Sequence, residues 1–277
     1  MTKQIGSTSI INDRQKMLSL ADANLVSVIR QRMQAVPEAR FSGVNGFFRF
    51  NIGRSIFDGH LNGLLSRDSH IAGDQAIATA DEFYHSLGHG FIFWIREHAD
   101  SEIEQALREK GLTPIREPGA AGMAIDHRLD SKPTPPGIVI CKVTDQRGVL
   151  DFAQVTTDAF SMAPDISKLA VGQTKAMVGA NVAAFVAYEG DKPLAAAMVF
   201  IEGVVAGLYY VGTVAEARGR GLAGICTRTA TNAGFDLGAD VVILGASLMA
   251  EPIYEYLGYK TLTRYRWYRV EAPFTKR

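Results

Sequence analysis

The stretch from Val211 to Ala223, VGTVAEARGRGLA, constrains the fold more than any other part of the chain. An apolar run from Ala206 to Val214 has the composition of a strand; after a short charged turn, Arg218-Gly219-Arg220-Gly221-Leu222-Ala223 opens a helix. The first four N–H groups of a helix lack internal partners, and the helix dipole adds about half a positive charge there. No Ser, Thr, Asp or Asn stands at the start to cap those donors, and glycines at 219 and 221 remove the Cβ atoms that would hold an anion away. With Arg218 and Arg220 alongside, the junction predicts an anion cradle.

Gly219, Gly221 and Gly224 also spell G-x-G-x-x-G, the pattern of a dinucleotide site. That motif needs its strand to run almost directly into the first glycine and an acid at the end of the next strand. Here Ala215 to Arg218 intervene, Asp240 precedes the next strand, and only one more strand-helix unit follows. A P-loop fares no better, since no Gly-Lys-Ser or Gly-Lys-Thr is present at the junction.

Of the 277 residues, 47% are hydrophobic and 21% charged, so a sizeable core is expected. Lys plus Arg equals Asp plus Glu at 29 each, which gives no support to a nucleic-acid or anionic-membrane partner. Cys141 and Cys226 fit no metal or disulfide spacing and are expected to be buried thiols in a reducing cytoplasm. The stretch MTKQIGSTSIINDRQK lacks the apolar run of a signal peptide, and no segment approaches 18 uninterrupted apolar residues, so a soluble cytoplasmic protein is expected.

Along the chain, a helix is expected over 14–35, with Met17, Leu20, Leu25, Ile29 and Met33 on one side. Strands follow at 46–51 and 55–65, then a helix capped by Asp74, a buried strand at 91–95, a short helix with a Ser101/Glu104 capping box, and a strand near 123–127. Three prolines within Ser131 to Gly137 mark a boundary, giving domains 1–132 and 137–277. Beyond it come a strand at 137–143, helices at 149–160 and 166–178, and strands at 182–188, 194–201 and 205–214. After the helix that opens at Gly221 there is a buried strand at 241–245, a helix with Pro252 in its first turn, and one or two strands over 259–270. The halves share this order of elements, but the turn at Ser66 to Ile71 in the first has none of the glycines. Only the second half is expected to keep an anion site.

The junction resembles that of the GNAT superfamily of acetyl-CoA-dependent N-acetyltransferases. That family's signature is Arg or Gln, two residues, Gly, one residue, then Gly or Ala, and Arg218, Gly221 and Ala223 match it. A second segment, Ala246 to Tyr259, is similar to the family's segment after its fifth strand, which typically ends in Leu-Tyr-Glu-Lys-Leu-Gly-Phe. It departs at Ser247, where many members have Asn. The resemblance implies an α/β fold with a mixed α+β-type sheet, in two tandem GNAT-like domains, the first degenerate and the second binding acetyl-CoA. It implies that N–H groups of Gly219, Arg220, Gly221, Leu222, Ala223 and Gly224 hold the CoA pyrophosphate. It further implies that a bulge splays Val211, Gly212 and Thr213 from the neighbouring strand, freeing an edge for pantetheine.

An N-acetyltransferase needs a neutral amine, support for a developing oxyanion and a proton for the departing thiolate. Backbone N–H near Val211 to Thr213 suits the second task. Tyr254 is the resemblance-matched donor for the third, with packing against Ile253 and Leu257 as its plain alternative. Glu189, Glu202 and Glu216 lie near strand ends, where solvated carboxylates are usual, so no general base is assigned. Tyr209 and Tyr210 alternate along their strand, so at most one is expected to line an acceptor channel. All six histidines fall in the first half; His85 and His89 have no H-E-x-x-H context, and no metal site is expected. The acceptor class left open is a small-molecule or peptide amine, and oligomeric state is not read. Rival readings are a non-catalytic acyl-CoA-binding module and an acyltransferase with a different acyl group or acceptor.

Overall fold

The computed structural model describes residues 13–272 and residue 274; segment 1–12, which carries most of the leader expectation, lies outside the described residues. The first half contributes α1 (Arg14–Gln34), β1 (Arg40–Val44), β2 (Phe47–Asn51), β3 (Asn62–Ser66), α2 (Gly73–His85), β4 (Phe91–Arg96), α3 (Ser101–Glu109) and β5 (Ala120–Ile125). The second contributes β6 (Ile138–Lys142), α4 (Gln146–Phe160), α5 (Pro164–Val171), α6 (Thr174–Met177), β7 (Val182–Glu189), β8 (Lys192–Glu202) and β9 (Val205–Thr213), then α7 (Leu222–Asp236), β10 (Val241–Ala246), α8 (Glu251–Tyr256) and β11 (Lys260–Val270).

All eleven strands join one mixed sheet in the order β1-β2-β3-β4-β11-β5-β10-β9-β8-β7-β6. Each half's closing strand sits against the other half. β11 pairs antiparallel with β4, from Tyr265↔Arg96 to Val270↔Phe91, and β5 pairs antiparallel with β10, from Val242↔Ile125 to Ala246↔Ala121. All six residues of β4 are buried, as a strand covered on both faces requires. The main core is continuous across the halves, from Leu25 and Phe48 to Val199 and Leu244.

α1 is buried well beyond the single apolar face expected of it. Asn24, fully buried, donates from Nδ2 to the carbonyls of Phe200 and Val205 at 3.1 and 2.9 Å, so a first-half helix is bonded to the β8–β9 turn of the second. Such buried polar groups are tolerated because their hydrogen bonds are met.

Local expectations are corrected at five places. Residues 55–61 form no strand: Asp58 accepts the His60 N–H on Oδ1 at 2.7 Å and those of Leu61 and Asn62 on its carbonyl, an Asx-type turn. Asp74 lies in the first turn of α2, whose cap is Ala72. The capping box is not formed, because Asp100 caps α3 and the Glu104 carboxylate instead binds Arg266 and Tyr268 of β11. The helix expected over 166–178 is two helices, parted at Gly172 and Gln173. Cys226 is buried as expected, but Cys141 is exposed on the edge strand β6.

Candidate functional site

β9 and β10 run parallel and paired from Val205↔Val241 to Leu208↔Leu244, and there the pairing stops. The cause is visible on the other edge of β9. Met198 faces Tyr209 and Ala196 faces Gly212, so Tyr210 and Val211 together oppose Ala197. This is a β-bulge, and Tyr210 takes a left-handed φ of 52° to make it. Beyond the bulge, Val211 to Thr213 have no partner strand on the β10 side, so their main chain is free to pair with an extended ligand. Thr213 adds a buried Oγ1 with no hydrogen-bond partner among the described residues. Gly212 is explained by packing, since a Cβ there would lie 2.8 Å from that of Ala159 on α4.

The chain leaves β9 through a short 3-10 turn at Ala215–Ala217 and enters α7, with Gly221 as a left-handed N-cap and no side-chain cap. A Cβ added at Gly219, Gly221 or Gly224 meets nothing within 4 Å, so the space beside these glycines is open. Leu222 anchors the helix start in the core, and Ala223 is partly exposed. Arg218 is turned back onto the carbonyls of Thr213 and Ala159, at 3.3 and 3.2 Å, where it ties β9 to α4. Arg220 is paired with Glu189 at 2.6 and 3.2 Å. Both guanidiniums are therefore engaged with the protein, and the backbone N–H groups are the free donors of the cradle.

A cavity of about 380 Å³ lies at the parting of the strands. Val211, Ser247 and Tyr254 line its second-half side. The Tyr254 hydroxyl shares a hydrogen bond with Thr227 of α7; burial outweighs that bond and pushes the phenol up to about 12. Tyr209 and Tyr210 both line the cavity, contrary to the alternation expected, because the bulge shifts the side-chain register between them. None of Glu189, Glu202 and Glu216 lines it; Glu189 pairs with Arg220 and Glu216 with Lys192. Among the described residues, no group of three or more His, Cys, Asp or Glu side chains is placed to hold a metal ion, and no helix is long and apolar enough to cross a membrane.

These features were compared with known proteins. The structure is similar to a GCN5-related N-acetyltransferase from Kribbella flavida, at 18% identity over 90% of this chain and 96% of that one, with a TM-score of 0.68. It is similar to another from Sphaerobacter thermophilus, at 14% identity over 84% of this chain and 79% of that one, with a TM-score of 0.63. A tandem GNAT protein from the clavulanic acid biosynthesis pathway aligns at 11% identity over 92% of this chain and 96% of that one, with a TM-score of 0.60. The chain has the GNAT fold, in tandem. No family model and no curated protein matches the sequence.

Within the tandem GNAT fold, β3 and β4 occupy in the first half the place of β9 and β10, and they too are parallel, from Gly63↔Ile92 to Leu65↔Trp94. The gap beyond them is sealed. Arg96, buried, reaches Ser66 Oγ and the Asp68 carbonyl at 2.8 and 2.7 Å, and is held by Asp100 and Asp22. What the first half does supply is the far wall of the cavity: Asp58, His60, Trp94 and the α1 residues Leu18, Ala21 and Leu25. The sequence reading missed Asp58 and His60. The signal was the dipeptide Asp58-Gly59, a turn former inside what had the look of a strand. Only glycine fits at 59, since a Cβ there would lie 2.7 Å from Trp267 and 2.9 Å from Trp94.

Proposed function

We propose that this protein is a cytoplasmic N-acetyltransferase that binds acetyl-CoA between β9 and β10 and transfers the acetyl group to a primary amine, with one active site per chain. The observation that carries this reading is the parting of β9 from β10 at the Tyr210–Val211 bulge, beside an uncapped glycine-rich helix start. Division of the chain into a degenerate domain, 1–132, and a cofactor-binding domain, 137–277, belongs to the same proposal, amended by the exchange of β5 and β11.

Bound there, acetyl-CoA supplies an activated acetyl thioester. Open space borders Gly219, Gly221 and Gly224, so the uncapped helix start suits a pyrophosphate, and the free edge of Val211 to Thr213 suits the amides of pantetheine. Thr213 Oγ1 and Ser247 offer hydroxyls to the same ligand. A main-chain N–H at the bulge can support the developing oxyanion. Tyr254, its phenol pushed up to about 12, stays protonated and serves the departing thiolate as a hydrogen-bond and proton donor. The cavity beyond the bulge favours a catalyst over a mere acyl-CoA-binding module, because an acceptor needs room that a bound thioester alone does not.

The test is titration calorimetry with acetyl-CoA on the wild type and on Gly224→Asp. Gly224 lies in the first turn of α7 with open space at its Cβ, so a carboxylate there suits the helix dipole while repelling a pyrophosphate. Binding by the wild type and a loss of at least a hundredfold in the folded variant are expected. Equal affinity in both would overturn the cradle.

A further inference from the structure

The loop at residues 53–61 brings a carboxylate, Asp58, and an imidazole, His60, to the cavity wall, and the described second-half residues lining it include neither kind of group. The His60 imidazole stands edge-on to Trp94 and Trp267, with ring centroids 5.2 and 5.4 Å apart, and 6.2 Å from the ring of Tyr210, the bulge residue. Its Nδ1 faces Asp58 Oδ1 at 3.6 Å, and its Nε2 has no hydrogen-bond partner among the described residues. Burial would raise the pKa of Asp58, but His60 and Arg32 more than offset it, so Asp58 stands as a carboxylate. Arg32 itself is buried, with its guanidinium over the Tyr210 ring at 5.0 Å and Nη1 donating to the His60 carbonyl at 3.4 Å.

The composition of the wall narrows the ligand. Among the described residues it holds one carboxylate, one imidazole and no Lys or Arg; hydroxyls aside, the rest is aliphatic and aromatic. An ammonium group is attracted by aromatic faces and by Asp58. A carboxylate or phosphate on the same molecule would be desolvated without a cationic partner, which disfavours its binding. A volume of about 380 Å³ lies near the small end of ligand sites.

We propose that the acceptor is a small primary amine with an apolar body and no anionic group, received between the two halves, and that His60, oriented by Asp58, takes the proton its ammonium must lose. This rests on the acetyltransferase reading above. The ammonium gives one proton to His60 Nε2, and the neutral nitrogen attacks the thioester carbonyl. The C–N bond forms, the C–S bond breaks, and the second N–H proton ends on the CoA sulfur. The imidazolium returns its proton to water through its exposed part, 29% of the side chain. The sum is ammonium plus thioester giving amide, thiol and one proton.

The experiment uses the full chain. Acetyl-CoA affinity is measured first by calorimetry; no binding would bring down the acetyltransferase reading and this inference together. Trp94 and Trp267 are the chain's only tryptophans and both line the cavity, so intrinsic fluorescence reports acceptor binding directly. Phenethylamine is expected to change the emission of the CoA complex, and phenylalanine, the same body with a carboxylate, to bind at least tenfold more weakly. CoA release is expected to favour phenethylamine over phenylalanine and spermidine by tenfold or more in kcat/KM. His60→Gln should keep acetyl-CoA affinity and lower kcat/KM for phenethylamine about a hundredfold. Asp58→Asn, which removes both the attraction for the ammonium and the partner of His60, should raise the KM for phenethylamine and lower kcat about tenfold, with acetyl-CoA affinity unchanged. Equal binding or turnover of phenylalanine, acetyl-CoA binding without turnover of any amine, or a His60→Gln enzyme within twofold of wild type would each overturn the inference.

Discussion

Glu104 on α3 accepts hydrogen bonds from Nε and Nη2 of Arg266 on β11, at 2.8 and 2.7 Å, and so clasps the last strand of the chain to a helix of the first half. The Tyr268 hydroxyl donates to the same carboxylate at 2.6 Å, and Arg108 at 2.9 Å. Burial alone would raise the Glu104 pKa; these donors more than offset it and hold it at about 2. A folded pKa below the unfolded value means that the stability it contributes is present above about 4.5 and is lost as the pH falls towards 2. Glu104→Gln should cost on the order of 2 to 3 kcal/mol at pH 7, and the gap should more than halve by pH 3. Urea unfolding of both proteins at the two pH values measures it; a gap independent of pH would show that the clasp is not ionic.

Tyr254 gives a prediction of the opposite kind, on rate without binding. Tyr254→Phe removes the hydroxyl but keeps the ring that packs against Tyr259, so acetyl-CoA affinity should hold while kcat drops about a hundredfold. Because burial pushes the phenol up to about 12, loss of its proton should cause no fall in the wild-type rate through pH 10. A falling limb near pH 9 that disappears in the phenylalanine variant would contradict the protonated role.

Arg96 is the most exacting buried charge of the first half. It faces Asp100 and Asp22, and Asp22 also meets His98 at 3.1 Å and the Tyr265 hydroxyl at 3.0 Å. Arg96→Met should strand two buried carboxylates and destabilise the protein by about 3 to 5 kcal/mol. Chemical denaturation reads this out, and a loss below about 1 kcal/mol would mean that the cluster relaxes into water.

Separated halves should not fold alone. A fragment ending at residue 132 lacks β11 and leaves the buried β4 with an open edge; the fragment from 137 lacks β5 beside β10. Expressed singly, each should be insoluble or molten, whereas co-expression should give a soluble one-to-one complex. Size-exclusion chromatography with circular dichroism decides it, and a cooperatively folded single fragment would refute it.

The second half was the more legible in sequence. The strands 182–189, 192–202 and 205–213 and the helix from Leu222 follow from apolar runs punctuated by Asp191, Gly203 and the glycines of the junction. The junction itself was readable because helix-end chemistry is local. Partner choice was not. β5 and β11 are apolar runs that satisfy any apolar neighbour, and only the assembled sheet decides that Ala121 meets Ala246 and Phe91 meets Val270. For the same reason Asp58 and His60 were invisible as site residues: nothing near them in sequence hints that Tyr210 and Trp267 lie beside them. The equal standing of Tyr209 and Tyr210 was lost to a bulge that period-two alternation does not encode.

The crossing of β5 and β11 sets a timetable for synthesis. A ribosome releases the chain from its N-terminus, and β4 waits beside an empty place until residues 260–270 have emerged. Neither half can be completed early and stored, so both stay unfinished until residues 260–270 have been made. A chain cut short anywhere before Lys260 then has no complete half, and the cavity lacks the wall that β11 gives it, Trp267 included.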